Sequence, residues 1–202
     1  DYSRCHPLSN ELIGYLNNNG IYIEEKIGEG SSADVFKVSM SNGVKAALII
    51  PTNTESRFDS TAELIEATKF PDIFPIIYSY FNVDIPYSSD EKYLEISKDF
   101  GERTIQVIEL MEMTLDQYII EAVETYKSNV WSLVDSIVTI IKHHILELYN
   151  NGIYYTDLKL DNIGVVYNNS EANIKFIDIE GIRFSHSWEY KFNPEETVED
   201  LL

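Results

Sequence analysis

The hydrophobic pattern of the chain changes character once, near residue 111. Before that point apolar and polar residues mostly alternate, the period of half-buried strands. After it they recur at spacings of three and four, the period of helices. In the first part, residues 9–19 predict a short helix, with Ser9 as N-cap and Asn18-Asn19-Gly20 as its stop. Ile21–Ile27 alternates as a strand, Val35, Phe36 and Val38 mark a second, and Val44–Ile50 a third that Pro51 stops. Ser41-Asn42-Gly43 predicts the hairpin between the last two, because Asn and Gly tolerate the positive φ of a tight turn. A helix is expected over 58–69, ended by Pro71. Strands are expected over Ile76–Val83 and Thr104–Met111, with a polar surface loop, 84–103, between them. In the second part, Leu115–Tyr126 is one helix and 131–149 another. The latter sets Val134, Val138, Ile141, Ile145 and Leu148 on one face. Two short strands, Ile163–Tyr167 and Ile174–Ile177, follow around an Asn-Asn-Ser-Glu turn. The expectation is an α+β chain: a five-stranded antiparallel sheet with one main helix over 1–111, then a mainly helical part over 112–202.

Composition narrows the classes. The 202 residues suit one domain or two small lobes, and the formal net charge is −19 with a pI near 4.4. Such a surface repels polyanions, so neither nucleic acid nor an anionic membrane is an expected partner. A solvated acidic surface explains the charge, and a basic protein partner would use it. Cys5 is the single cysteine, so no intrachain disulfide forms, which fits a reducing, cytoplasmic setting. No run approaches a membrane span, and no signal-like apolar stretch follows Asp1.

Two segments carry candidate chemistry. Gly28-Glu29-Gly30-Ser31-Ser32-Ala33-Asp34-Val35 lies between two strands. Glycines there let the backbone approach a phosphate, although a plain hairpin turn would carry them too. Because it leads into a strand and not a helix, a dinucleotide-binding turn is disfavoured. The second segment is Tyr155-Thr156-Asp157-Leu158-Lys159-Leu160-Asp161-Asn162. It precedes a strand pair and then Asp178-Ile179-Glu180-Gly181. Each polar residue alone could be a cap or a surface group; the ordered set is harder to explain that way.

This ordered set resembles the catalytic core of Ser/Thr-type protein kinases, over roughly residues 21–185. The resemblance implies a two-lobed kinase-like fold with a truncated, mainly helical C-lobe. It implies ATP and Mg²⁺ as cofactors, bound between the lobes, and transfer of the γ-phosphoryl group to protein Ser/Thr hydroxyls. It casts Asp157 as the acceptor of the attacking hydroxyl's hydrogen bond and Lys159 as the γ-phosphate contact, with Asn162 and Asp178 as metal ligands. Gly28, Gly30, Ser31, Ser32, Val35 and Ala47 would line the nucleotide site. Glu109-Leu110-Met111-Glu112 resembles the hinge, with Glu109 and Met111 presenting backbone to the adenine edge.

The departures from that family are specific. Ala46-Ala47-Leu48-Ile49 stands where V-A-I-K is expected, with Ile49 in place of the lysine. Lys45 shares a strand face with residues 47 and 49 and is the candidate substitute. Glu63 and Glu66 are equal candidates for the helix glutamate that normally pairs that lysine. Tyr155-Thr156 replaces His-Arg, which argues against an activation loop switched by phosphorylation, while the resemblance gives Tyr155 the place of that histidine in an apolar stack. Glu180 replaces a glycine, and Gly164 stands where a bulky apolar residue floors the adenine, which implies a looser pocket. Only residues 182–202 follow Gly181, with no A-P-E phrase. His186 and Trp188 there suggest no chemistry, and His143-His144 reads as helix surface. The expected function is a minimal protein kinase. The alternative is a pseudokinase, acting as a nucleotide-binding or purely protein-binding module. By analogy alone, so short a kinase could be an effector in a host cytosol.

Overall fold

The structure, a computed structural model, describes residues 8–30, 33–52, 61–88, 102–126 and 130–184. Cys5, Ser31, Ser32, residues 53–60, most of the 84–103 loop, His186 and Trp188 lie outside them. The described residues form an α+β chain with four helices and a five-stranded antiparallel sheet. By internal contacts it divides into two units: 1–61 with 76–110, and 62–75 with 111–202.

The first unit is the sheet and one helix. Helix α1, Asn10–Asn18, starts at Ser9, whose Oγ accepts the Leu12 N–H at 3.1 Å. Leu12 and Leu16, four apart, are its buried stripe. The strands are β1 (Ile21–Glu29), β2 (Ala33–Met40), β3 (Lys45–Pro51), β4 (Ile77–Val83) and β5 (Arg103–Glu109), in the order β1-β2-β3-β5-β4. Gly43, at φ 84°, turns the β2–β3 hairpin, and the Asn42 side chain accepts the Val44 N–H at 3.0 Å. Phe36 and Val38 of β2, Leu48 and Ile50 of β3, and Ile105 and Val107 of β5 share one sheet face, on which Leu12 and Leu16 pack. The opposite face carries Val35, Ala47 and Ile49. Ser9 ties α1 to the segment after β4, donating its Oγ–H to the Pro86 carbonyl at 2.6 Å and its N–H to the Tyr87 carbonyl at 2.8 Å.

This core encloses a charged group. Asp34, 4% exposed, pairs with Lys26 at 3.0 Å and accepts a hydrogen bond from the Tyr87 hydroxyl. Burial lowers the Lys26 ammonium, but its bonds to Asp34 and Glu29 outweigh that and hold its pKa above the ordinary value. A carboxylate so far from water requires such partners.

The second unit holds α2 (Thr61–Ala67), β6 (Met113–Thr114), α3 (Leu115–Tyr126), α4 (Val130–Asn150), β7 (Ile153–Tyr155), β8 (Ile163–Asn168), β9 (Glu171–Phe176) and β10 (Ile182–Phe184). β6, β8 and β9 form one small sheet, β7 and β10 another. On α4 the buried residues are Ile137, Ile141, Ile145 and Leu148. Ile137 therefore takes the buried place expected of Val134 and Val138, which are half-buried. Segment 62–75 is pinned to this unit: the Ile73 carbonyl accepts the Phe176 N–H at 2.8 Å, and Phe74 packs on Tyr155 and Phe176.

His144 is not the surface residue its sequence context suggests. Its Nε2 lies 3.0 Å from the Ile174 carbonyl and its ring stands edge-on to Phe176. Burial pushes its pKa below the ordinary value, against the opposing pull of the Ile174 carbonyl and Glu147. The unfolded chain thus binds the proton more tightly, and this residue's contribution to stability falls as pH drops through about 6.5. We predict that the stability advantage of the wild type over His144→Phe, from denaturant unfolding, shrinks between pH 8 and pH 5.5. A constant gap would show that the imidazole is not held neutral.

Candidate functional site

Each unit carries part of the predicted residue set. In the first, Gly28, next to last in β1, lies opposite Val35, and the Gly30 N–H closes the turn on the Ala33 carbonyl at 2.8 Å. Cross-strand pairing sets Val35 opposite Ile49, Lys37 opposite Ala47 and Ser39 opposite Lys45. Ala47 is buried and Lys45 is half-exposed. The Lys45 ammonium is ion-paired with Glu24 and hydrogen-bonded to Ser39, and the bonds that Lys45 and the Ser39 hydroxyl donate to Glu24 hold its carboxyl below the ordinary pKa. That pair must open before Lys45 could serve a phosphate. Glu109 is committed as well: its N–H donates to the Ile76 carbonyl at 2.8 Å and its carboxylate accepts the Ile76 N–H at 3.1 Å.

The second unit gathers the remaining polar residues. β7 leads into the Asp157 loop, and a single 3-10 turn, Leu160–Asn162, leads out of it into β8. Asn162 Nδ2 donates to Asp157 Oδ2 at 2.7 Å and to the Asp157 carbonyl at 3.1 Å. These bonds fix the amide and leave its oxygen as an acceptor. Lys159 Nζ stands 3.7 Å from Asp157 Oδ2, with both side chains about half exposed. The Asp178 loop is held against this one by backbone: the Ile177 N–H donates to the Asn162 carbonyl at 2.8 Å, and β10 pairs with β7. Asp157, Lys159, Asn162 and Asp178 are thereby brought to one end of one unit.

Three contacts lie beneath these loops, of which only the place of Tyr155 in an apolar stack was expected from the sequence. Tyr155, 1% exposed, stacks on Phe176 with centroids 4.7 Å apart. Its hydroxyl makes no hydrogen bond of normal geometry, while the Asp178 backbone approaches it. Burial, then the charges of Asp178 and Asp157, push the phenol far above its ordinary pKa, so it stays protonated. Thr156, which sequence comparison marks only as a lost arginine, donates both its N–H (2.9 Å) and its Oγ–H (3.1 Å) to the Gly181 carbonyl. Gly181 lies directly on the Tyr155 ring, where a Cβ would meet Cε2 at 2.8 Å.

The donor set fits Mg²⁺ in one respect and limits it in another. Asp178 and Asn162 offer hard oxygen ligands, which suit that ion. Among the described residues, however, no three of His, Cys, Asp and Glu cluster as a cage. Such a pair needs phosphate oxygens and water to complete six-coordination. Of the two helix glutamates, Glu66 is paired with Lys69 at 2.7 Å. Glu63 instead has a buried Oε2 without a hydrogen-bond partner among the described residues.

We predict that Gly181→Ala destabilises the chain by about 1–3 kcal/mol, the usual cost of overpacking a tight contact; a denaturation midpoint at the wild-type value would show that Tyr155 yields freely. No protein-family model matches the chain, and no curated protein matches it in sequence.

Proposed function

We propose that this chain is a minimal, Mg²⁺-dependent protein kinase that transfers the γ-phosphoryl group of ATP to Ser or Thr hydroxyls of a protein. The observation that carries the reading is the shared position of Asp157, Lys159, Asn162 and Asp178, with Asn162 hydrogen-bonded to the Asp157 carboxylate. Phosphoryl transfer needs little covalent chemistry from the protein; it needs alignment and charge neutralisation. Asp178 and the Asn162 amide oxygen would hold Mg²⁺, which supplies charge neutralisation at the phosphates. Asp157 accepts a hydrogen bond from the incoming hydroxyl and orients its lone pair. The hydroxyl oxygen bonds to the γ-phosphorus as the bond to the β–γ bridging oxygen breaks. ADP leaves and the hydroxyl proton passes through Asp157 to solvent. Lys159, partly exposed and next to Asp157, offsets negative charge on the moving phosphoryl group.

A pseudokinase is the second reading, and two observations favour it. Ile49 stands at the strand position that the kinase resemblance gives to a lysine, and Lys45 is already held by Glu24 and Ser39. Among the described residues no helix is long and apolar enough to cross a membrane, and the charge of −19 favours a protein partner over a nucleic acid.

The discriminating experiment is labelled-phosphate transfer from Mg·ATP to cell lysate and to the protein itself. Asp157→Asn should bind Mg·ATP within about threefold of wild type yet transfer at least about a hundredfold more slowly. Asp178→Ala should lose Mg²⁺-dependent nucleotide binding. Nucleotide binding without transfer by the wild type selects the pseudokinase; unchanged affinity in Asp178→Ala removes the metal assignment.

A further inference from the structure

The turn after β5 holds an exchange of volumes that the sequence does not announce. Gly164 of β8 has no side chain, and a Cβ built there would stand 2.5 Å from Met111 Cγ, 2.7 Å from its Sδ and 3.0 Å from Ile177 Cδ1. The space over Gly164 is therefore filled, by the thioether of Met111. Pairing explains how it arrives there. The Glu112 N–H donates to the Val165 carbonyl at 2.9 Å, and Met113 and Thr114 pair with Val165 and Gly164. Residues 111–114 thus run along β8, with Met111 over the glycine. The looser floor expected from Gly164 is not what the packing gives.

Two further features mark this spot as a place for a planar ligand. Met111 lies in neither a strand nor a helix, and no protein hydrogen bond reaches its backbone among the described residues. A flat heterocycle carrying a donor and an acceptor on one edge would satisfy that N–H and carbonyl. Its face would then need apolar contact, and the atoms at hand are the Met111 thioether and Ile177. A thioether on an unbranched chain is polarizable, favours ring contacts and adapts to shape.

We infer that the side chain of Met111, not residue 164, forms the floor beneath the nucleobase, and that it is a determinant of purine affinity in this chain. The inference rests on the nucleotide-binding reading above and adds to it a residue whose side chain, beyond its backbone, contacts the base. The floor is movable: replacing Gly164 by a larger residue expels Met111, and removing Met111 vacates the floor.

A reciprocal pair tests this, read by Mg·ATP binding calorimetry and by thermal melting without nucleotide. Met111→Ala should weaken Mg·ATP binding about tenfold, the scale of one lost apolar contact, with little change in Tm. Gly164→Leu should lower both affinity and Tm through collision with Met111. The double variant should recover Tm and bring affinity back to within about threefold of wild type, because leucine then supplies the floor. Additive losses in the double variant, or wild-type affinity in Met111→Ala, would overturn the inference while leaving nucleotide binding in place. Absence of Mg·ATP binding by the wild type would overturn the nucleotide reading and this inference with it, whatever the melting data show.

Discussion

The candidate site depends on the backbone bonds that join two loops of the second unit. β7 pairs with β10, and the Ile177 N–H donates to the Asn162 carbonyl. The first clamps the entrance of the Asp157 loop to the exit of the Asp178 loop, and the second joins their inner ends. Backbone pairing on both sides holds the two loops together without drawing on either aspartate side chain. The clamp needs a dry base, which is the stack of Tyr155, Phe176 and Phe74 with His144 edge-on beside it. Tyr155 serves both: its ring belongs to the stack and its hydroxyl rises toward the two acids.

The sheet unit solves a different problem. Asp34 is buried beside a core of aliphatic and aromatic side chains, and it is tolerated because Lys26 and Tyr87 pair with it. Breaking one partner of such a pair costs more than the pair itself contributes, since the remaining charge stays buried. The network also joins β1, β2 and the segment after β4, which in turn holds α1 through Ser9. The strand that follows the Gly28–Gly30 turn is thus fixed to the far end of the sheet by polar bonds as well as by packing.

Sequence reading recovered the long elements because their periods repeat. The five strands of the sheet, the Asn42-Gly43 hairpin and both long helices of the second unit were legible within a few residues. β6, β7 and β10 were not, since two or three residues show no period and form only because a partner strand lies beside them. Val134 and Val138 looked like the buried face of α4, yet Ile137 is buried: an ideal stripe drifts around a helix, and which neighbour covers it is a tertiary fact. The polar set Asp157, Lys159, Asn162 and Asp178 was named through the resemblance its order carries, and the structure brings these residues to one end of the second unit. Of what lies beneath it, only the place of Tyr155 in an apolar stack was expected. Thr156 gave no signal, because its bond to Gly181 depends on a fold-back 25 residues later. Gly164 signalled a gap, and only packing reveals that Met111 occupies it. Lys45 and Ile49 could be placed on one strand face by alternation, but the partners Glu24 and Ser39 that hold Lys45 come from other strands.

The proposed function requires that Asp178 and Asn162 form a metal site completed by nucleotide phosphates. The most direct measurement is electron paramagnetic resonance of Mn²⁺ added in place of Mg²⁺, with and without ATP. Such a site should give weak binding of the ion alone, tight binding of one ion in the presence of ATP, and loss of the tight component in both Asp178→Ala and Asn162→Ala. Tight Mn²⁺ binding that needs no nucleotide, or that survives both substitutions, would contradict it.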